Sequence, residues 1–285
     1  MARIQEGSDQ RTTEDVRSGA KHITRRILLI SSKISVEPTV FLTMFTSIMY
    51  QLITQNLYLE KSCRVNIGFN SSICNALSHK NSSGYSKSEE VEVQKLVSQM
   101  LALRTALQSI FPVCLILFIG SWSDRNNRRK PVILAPIFGE IMCCGFLILN
   151  VVFFYELPLI FTTLGDSLPL SLLGGWPCLF VGVYTFIGTR CSKENRTIRV
   201  GIVSASKMAA YSLGLASAGL IYRAFGFIGF FSLCIALLLM ALTLAMLLIK
   251  DEGIKIEPKK EIGPLKIFSI FDISKNFQNK FQKWS

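Results

Sequence analysis

Long apolar windows separated by short charged blocks set the pattern of this chain. The windows lie near 36–59, 96–120, 132–155, 167–189, 200–222 and 226–249. Each is long enough to cross a hydrocarbon core of ~30 Å at a helical rise of ~1.5 Å per residue. Such windows predict helices, because in lipid every backbone N–H and C=O must find its partner within the protein. The expected fold is therefore all-α: a polytopic membrane protein with six transmembrane helices over 35–249, between an N-terminal arm 1–34 and a tail 250–285. Window one, VEPTVFLTMFTSIMYQLITQNLYL, holds Thr, Ser, Gln and Asn, so it should face other helices or a wet cavity rather than lipid. The last window is apolar all round and reads as lipid-facing. The arm is polar and mixed in charge, without the pattern of a signal peptide.

The charges between the windows assign the sides. The N-terminal arm carries seven Lys and Arg, the loop after window two four, the loop 190–199 four and the tail eight; the alternate loops carry five, none and one. The positive-inside rule then places both termini in the cytoplasm. It also accounts for the net charge of +12 without nucleic acid, with anionic membrane lipid as the partner of the basic loops. Half the residues are apolar and 18% are charged, a balance unlike that of a soluble domain.

The long loop 60–95 falls on the opposite, extracellular or luminal side. It contains the acceptors Asn70-Ser71-Ser72 and Asn81-Ser82-Ser83, which predict glycosylation at Asn70 and Asn81. A third match, Asn195-Arg196-Thr197, lies in a basic cytoplasmic loop and should stay bare. The same long loop holds Cys63 and Cys74, which either pair with each other or leave one to a partner outside the chain. Cys114, Cys143, Cys144, Cys178 and Cys234 lie within windows and read as small apolar fillers. No Cys/His spacing suits a metal, and no nucleophile–base set or phosphate loop is present, so neither an enzyme nor a cofactor is expected.

The loop between windows two and three, GSWSDRNNRRKP, interrupts the apolar chain with one acid and four bases. Its Gly120, Asp124, Arg125, Arg128 and Arg129 resemble the G-x-x-x-D-[RK]-x-G-[RK]-[RK] signature of the major facilitator superfamily, with Asn127 where that pattern has Gly. VEPTVFL at 36–42, the SWSD and RRKP pieces, the Cys-bearing first loop and NRTIR at 195–199 further resemble the proton-coupled folate transporter family of solute carriers, in its insect-type members. The resemblance runs from about residue 35 to 275. It implies the N-terminal bundle of a twelve-helix transporter, with substrate held at the midplane between two six-helix bundles. The chain then reads as a natural half, a truncated isoform or an incomplete gene model. Its partner would be a second bundle or a second copy, and its location the plasma membrane, with the lysosomal membrane as alternative. The tail matches the start of the family's central loop, and Ile267, Phe268, Ile270, Phe271, Ile273 and Phe277 could form an interfacial helix there.

Ionisable groups within spans are costly and so are functional candidates. Arg104, Lys207 and Glu140 each lie about eight or nine residues into a window, a depth of roughly 12 Å. With Gln51 and Gln55 of window one, Arg104 and Lys207 are candidates for binding a small organic solute; snorkelling or intramolecular pairing is the alternative reading for both cations. Glu140 is the proton-coupling candidate, against a protonated helix–helix hydrogen bond. Relative to the resembled branch, the acid linked to proton coupling falls at Ser204, the acid of span four within Gly174-Gly175, and the acid near that span's end at Thr189. Pro112, Pro136 and Pro177 can bend their spans, and Ala210, Gly214 and Ala218 form a small-residue stripe. Two classes remain: a secondary transporter or its N-terminal half, possessing an organic-anion or folate-like substrate and alternating access, and a non-transporting scaffold or regulator of a full-length transporter.

The orientation is testable by single Asn→Gln replacements with a gel-shift readout. Loss of a glycan is expected at Asn70 and at Asn81 and no change at Asn195, because only the first two face the lumen. A glycan on Asn195 would invert the topology.

Overall fold

The computed structural model describes residues 36–78, 81, 83–126, 129–191 and 193–249, and is helical along nearly all of them. The arm 1–34, the tail helix expected around Ile267–Phe277, and Arg128 lie outside the described residues. Helix α1 spans Glu37–Lys61 and passes through a π-helical turn, Ser62–Ile67, to the short α2, Ser71–Ser78. Then follow α3, Lys87–Asn126; α4, Lys130–Val152; α5, Leu159–Leu172; α6, Gly175–Arg190; and α7, Lys193–Leu248, bent at Gly226.

Among the described residues four helical stretches are long and apolar enough to cross a membrane: Lys87–Ile119, Lys130–Val152, Leu159–Thr189 and Asn195–Leu248. The last contains two windows, joined where Gly226 leaves helical geometry at φ 64°, a conformation open to glycine because it lacks a Cβ. With α1, whose 25 residues reach about 37 Å, all six windows are accounted for. One boundary needs correcting. The fourth span begins at Leu159, directly after Pro158, and so takes in residues 159–166, which hydropathy assigns to a loop. It is also broken: Gly174 and Gly175 adopt φ values of 95° and 57°, ending α5 and restarting the chain as α6.

The polar character of α1 is absorbed by the protein. Thr39, Thr43, Thr46, Ser47 and Thr54 are buried. Three of their hydroxyls donate to carbonyls one turn back, Thr46 to Leu42, Ser47 to Thr43 and Thr54 to Tyr50, at 2.8–2.9 Å. This back-bonding satisfies a hydroxyl inside a helix without a second chain. α5 uses the same device, with Thr163 donating to the Leu159 carbonyl, Ser167 to that of Thr163 and Ser171 to that of Ser167.

α1 packs most extensively on α7, and α4 lies against α5, α6 and α7. The α1–α7 seam is the small-residue stripe: Ala210, Gly214 and Ala218 are all buried. A Cβ at Gly214 would stand 2.9 Å from the Phe45 carbonyl oxygen, so the absence of a side chain sets the helix separation. At the loop end of the bundle Cys63 and Cys74 form a disulfide with a Cα–Cα distance of 5.8 Å, above a small cluster with Leu77 and Val93. Asn70 and Asn81 are both exposed there.

Gly214→Val should force α1 and α7 apart. Overpacking of this kind costs ~1–3 kcal/mol, so the variant's melting temperature in detergent should fall. Gly219→Val should melt like the parent, because a Cβ added at Gly219 would meet nothing within 4 Å. Equal melting of both variants would mean that the seam is not close-packed.

Candidate functional site

Among the described residues three polar levels cross the bundle. At the loop end the ammonium of Lys61, fully buried, donates to the Asn150 side-chain oxygen at 3.1 Å and its carbonyl at 3.3 Å, and lies over the Phe154 ring. Thr162 donates to the same Asn150 oxygen at 2.9 Å, and the Asn66 side chain accepts from the Leu159 backbone N–H at 3.0 Å. Helices α1, α4 and α5 are thus joined at this end by groups that would be costly to leave unpaired.

At the motif end, where α1 and α7 start and α6 ends, Glu37 and Arg199 form a buried ion pair at 3.0 Å. Arg199 also contacts the Cys191 sulfur at 3.4 Å. Of the signature residues, Gly120, Asp124 and Arg125 lie on the last turns of α3 with side chains outside the described set. Arg129 is described: it donates to the Thr185 carbonyl and to the Thr189 hydroxyl, the latter at 2.6 Å. Arg129 thus ties the start of α4 to the end of α6 through Thr189, the position where the resembled branch carries an acid. Lys130 in turn donates to the Met246 carbonyl at 2.6 Å, tying α4 to the end of α7.

Between the two ends lies a buried charge cluster. Arg104 of α3 approaches Asp166 of α5 with Nε 2.6 Å from Oδ2, an ion contact out of line for an N–H hydrogen bond. Tyr50 donates its hydroxyl to Asp166 Oδ1, and Tyr58 donates to Oδ2 at 3.3 Å. Arg104 also reaches the Tyr50 oxygen at 3.5 Å. Arg104 is 6% exposed and Asp166 not at all. Glu140 of α4, equally buried, has Ser47 and Arg104 as polar neighbours, and its Oε1 has no hydrogen-bond partner.

Hydropathy alone passes over Asp166, because the fourth window begins at residue 167. A signal is nonetheless present in the sequence: Thr162, Thr163, Asp166, Ser167 and Ser171 recur at helical spacing after Pro158, which marks one polar face of a helix rather than a loop.

Beside the cluster opens a cavity of about 350 Å³, lined by Gln51 of α1, Thr105, Gln108 and Ser109 of α3, Ser171 of α5, and Trp176 and Phe180 of α6. The break at Gly174–Gly175 brings Trp176 to its wall. Gln108 Nε2 and Trp176 Nε1, both buried, have no acceptor. Lys207 of α7 places its ammonium 4.9 Å from the centroid of Phe180, a cation–π distance. Of the candidates from sequence, Gln51 lines the cavity, Arg104 stands one helical turn from the lining residue Gln108, and Lys207 packs on the lining ring of Phe180. Gln55 does not line it and is exposed, and Glu140 does not line it either, being buried next to Arg104.

Residues 39–283 match the family described as Major Facilitator Superfamily. The chain belongs to this superfamily. This facilitator chain is similar to the "Probable peptidoglycan muropeptide transporter SLC46" of Drosophila melanogaster, with 24% identity over 227 residues, 76% of this chain and 42% of that protein. It is also similar to the "Proton-coupled folate transporter" of Rattus norvegicus, with 27% identity over 230 residues, 79% of this chain and 47% of that protein. The chain spans about half the length of the curated relatives it matches. It is thus a multi-pass membrane protein of a transporter superfamily, all-α in fold.

Removing one member of a buried ion pair leaves the other charge uncompensated, at about 3–5 kcal/mol. Glu37→Gln should therefore lower the facilitator's melting temperature in detergent, and pairing it with Arg199→Leu should restore part of the loss. An unchanged melting temperature for Glu37→Gln would mean that the pair contributes nothing.

Proposed function

We propose that this facilitator is a secondary transporter, or the N-terminal half of one, moving a small organic anion by alternating access. The observation that carries the reading is the cavity itself: two buried N–H donors without acceptors, Gln108 Nε2 and Trp176 Nε1, belong to its lining residues, with Arg104 one helical turn from Gln108 and Lys207 over the lining ring of Phe180. Unpaired buried donors are costly unless a ligand supplies the acceptors, and a carboxylate supplies them with complementary charge. The two relatives are named for a muropeptide and a folate, both organic solutes, and one of them is named as proton-coupled.

In this reading Arg104, Lys207 and Gln51 bind the solute, and Glu140, beside Arg104, shares in carrying the coupled proton. Gln55 follows Gln51 by one turn on α1, so a second six-helix bundle, or a second copy, closing over this face would enclose both. The signature loop acts as a conformational latch through Arg129 on the end of α6. Residues 35–249 form the transmembrane bundle, with both termini cytoplasmic in the plasma or lysosomal membrane, and lipid contacts the outer faces of α4 and α7.

The test is to express residues 1–285 in transport-null cells and measure uptake of labelled folates and other organic anions, with and without a co-expressed C-terminal half from a relative. Uptake is expected only with the second bundle, and Lys207→Ala should cut it about tenfold or more, the loss of one charge-assisted contact of ~1.5–3 kcal/mol. Saturable uptake by the chain alone, shown to be monomeric by single-molecule photobleaching, would defeat the half-transporter reading.

A further inference from the structure

Asp166 is surrounded as a bound carboxylate would be. A guanidinium meets one oxygen, a phenol donates to each oxygen, and water is excluded from all four side chains: Arg104, Tyr50, Tyr58 and Asp166 are each 6% exposed or less. This donor set is the kind that recognises a carboxylate ligand, yet here the chain's own acid fills it.

The pair also stands next to the cavity on two helices at once. Gln108 and Leu170 line the cavity, and each follows its member of the pair, Arg104 or Asp166, by four residues. Residues so spaced are neighbours on a helix face, ~5–6 Å apart. The Arg104 head, on its long flexible stem, therefore needs to travel only one helical turn to reach the cavity.

The charge balance supplies the trigger. The groups facing Asp166 and Arg104 are Tyr50 and Tyr58 from α1, Glu140 and Cys143 from α4, and Thr163 from α5 itself. Arg104 is the one cation among them, whereas Asp166 and Glu140 are two carboxyls. In a low-dielectric interior an unbalanced carboxylate is expensive, so the cluster has a place for a proton, and Glu140 Oε1, which has no partner, adds an acceptor for it.

We propose that Asp166 is a built-in occupant of the anion site: its carboxylate holds Arg104 until it takes up a proton, and the neutral acid then releases Arg104 to the carboxylate of an incoming solute. One proton enters the cluster for each anion that replaces Asp166 at the guanidinium, so the exchange conserves charge. Tyr50 and Tyr58 keep the displaced acid in place by hydrogen bonding. This rests on the anion-transport reading above, but its test needs only binding.

The full chain, in phosphatidylcholine nanodiscs, is titrated with 4-nitrobenzoate, which stays ionised through the range used and quenches indole fluorescence. Trp176 in the cavity wall reports, and Trp176→Phe gives the background from the other two tryptophans. Affinity in the unaltered chain should rise about tenfold between about pH 7.5 and pH 5.5, as expected for uptake of one proton. Asp166→Asn should bind at the higher pH as the parent does at the lower, with the pH dependence gone, and Arg104→Gln should bind weakly at both. Affinity independent of pH in the unaltered chain, or absence of quenching at either pH, overturns the proposal even if Asp166→Asn does not fold. A folded Asp166→Asn that binds more weakly than the parent, or keeps its pH slope, also overturns it and leaves Asp166 as a structural brace. Failure of transport with intact pH-dependent binding would instead count against the transport reading alone.

Discussion

The contact between Arg104 and Asp166 is the constraint around which the interior is arranged. Neither charge is tolerable alone inside a membrane-spanning bundle, so α3 and α5 must present them at the same depth, and α1 must bring Tyr50 and Tyr58 to the remaining lone pairs. That requirement explains why α1 is polar where a lipid-facing helix would not be. Thr46, Ser47 and Thr54 are buried in the protein and bond their own backbone, leaving the tyrosines to make the interhelical contacts at this depth.

The two ends of the bundle repeat this logic with different chemistry. Lys61 and Asn150 join α1 to α4 at one end, and Glu37 and Arg199 join α1 to α7 at the other. α1 thus contributes to every buried polar level, and it is also the helix that lies in the glycine-lined seam with α7. A helix held at both ends and at its centre is coupled to its neighbours at three depths. The signature loop fits the same frame. Arg129, directly before α4, binds α6 through Thr189 and a backbone carbonyl, without a carboxylate at position 189.

The break in the fourth span shapes the cavity. A continuous helix from Leu159 to Arg190 would bond its own backbone throughout. The two left-handed glycines, Gly174 and Gly175, instead restart the helix and set Trp176 and Phe180 on the cavity wall with Gln108, the Phe180 ring lying under the Lys207 ammonium. Irregular backbone at membrane depth is tolerated where it lines a cavity, and here it does.

The sequence by itself determined the class of the protein: span number, helical character and superfamily follow from window length, backbone hydrogen-bonding in lipid and a short basic signature, all of which are local properties. It also singled out Arg104, Glu140 and Lys207, because a charge in an apolar window is conspicuous. It could not show what those charges face. Asp166 sits among Ser, Thr and Pro at the edge of a window, where hydropathy averages it into a loop, and only the packing of α5 against α1 and α3 shows it to be the partner of Arg104. Gln55 is as conspicuous in the sequence as Gln51, yet only the packing shows that Gln51 lines the cavity while Gln55, one turn further along α1, is exposed outside it. Pairing between residues 62 positions apart depends on helix rotation and depth, and those are fixed by the tertiary contacts of the whole bundle rather than by any stretch of sequence.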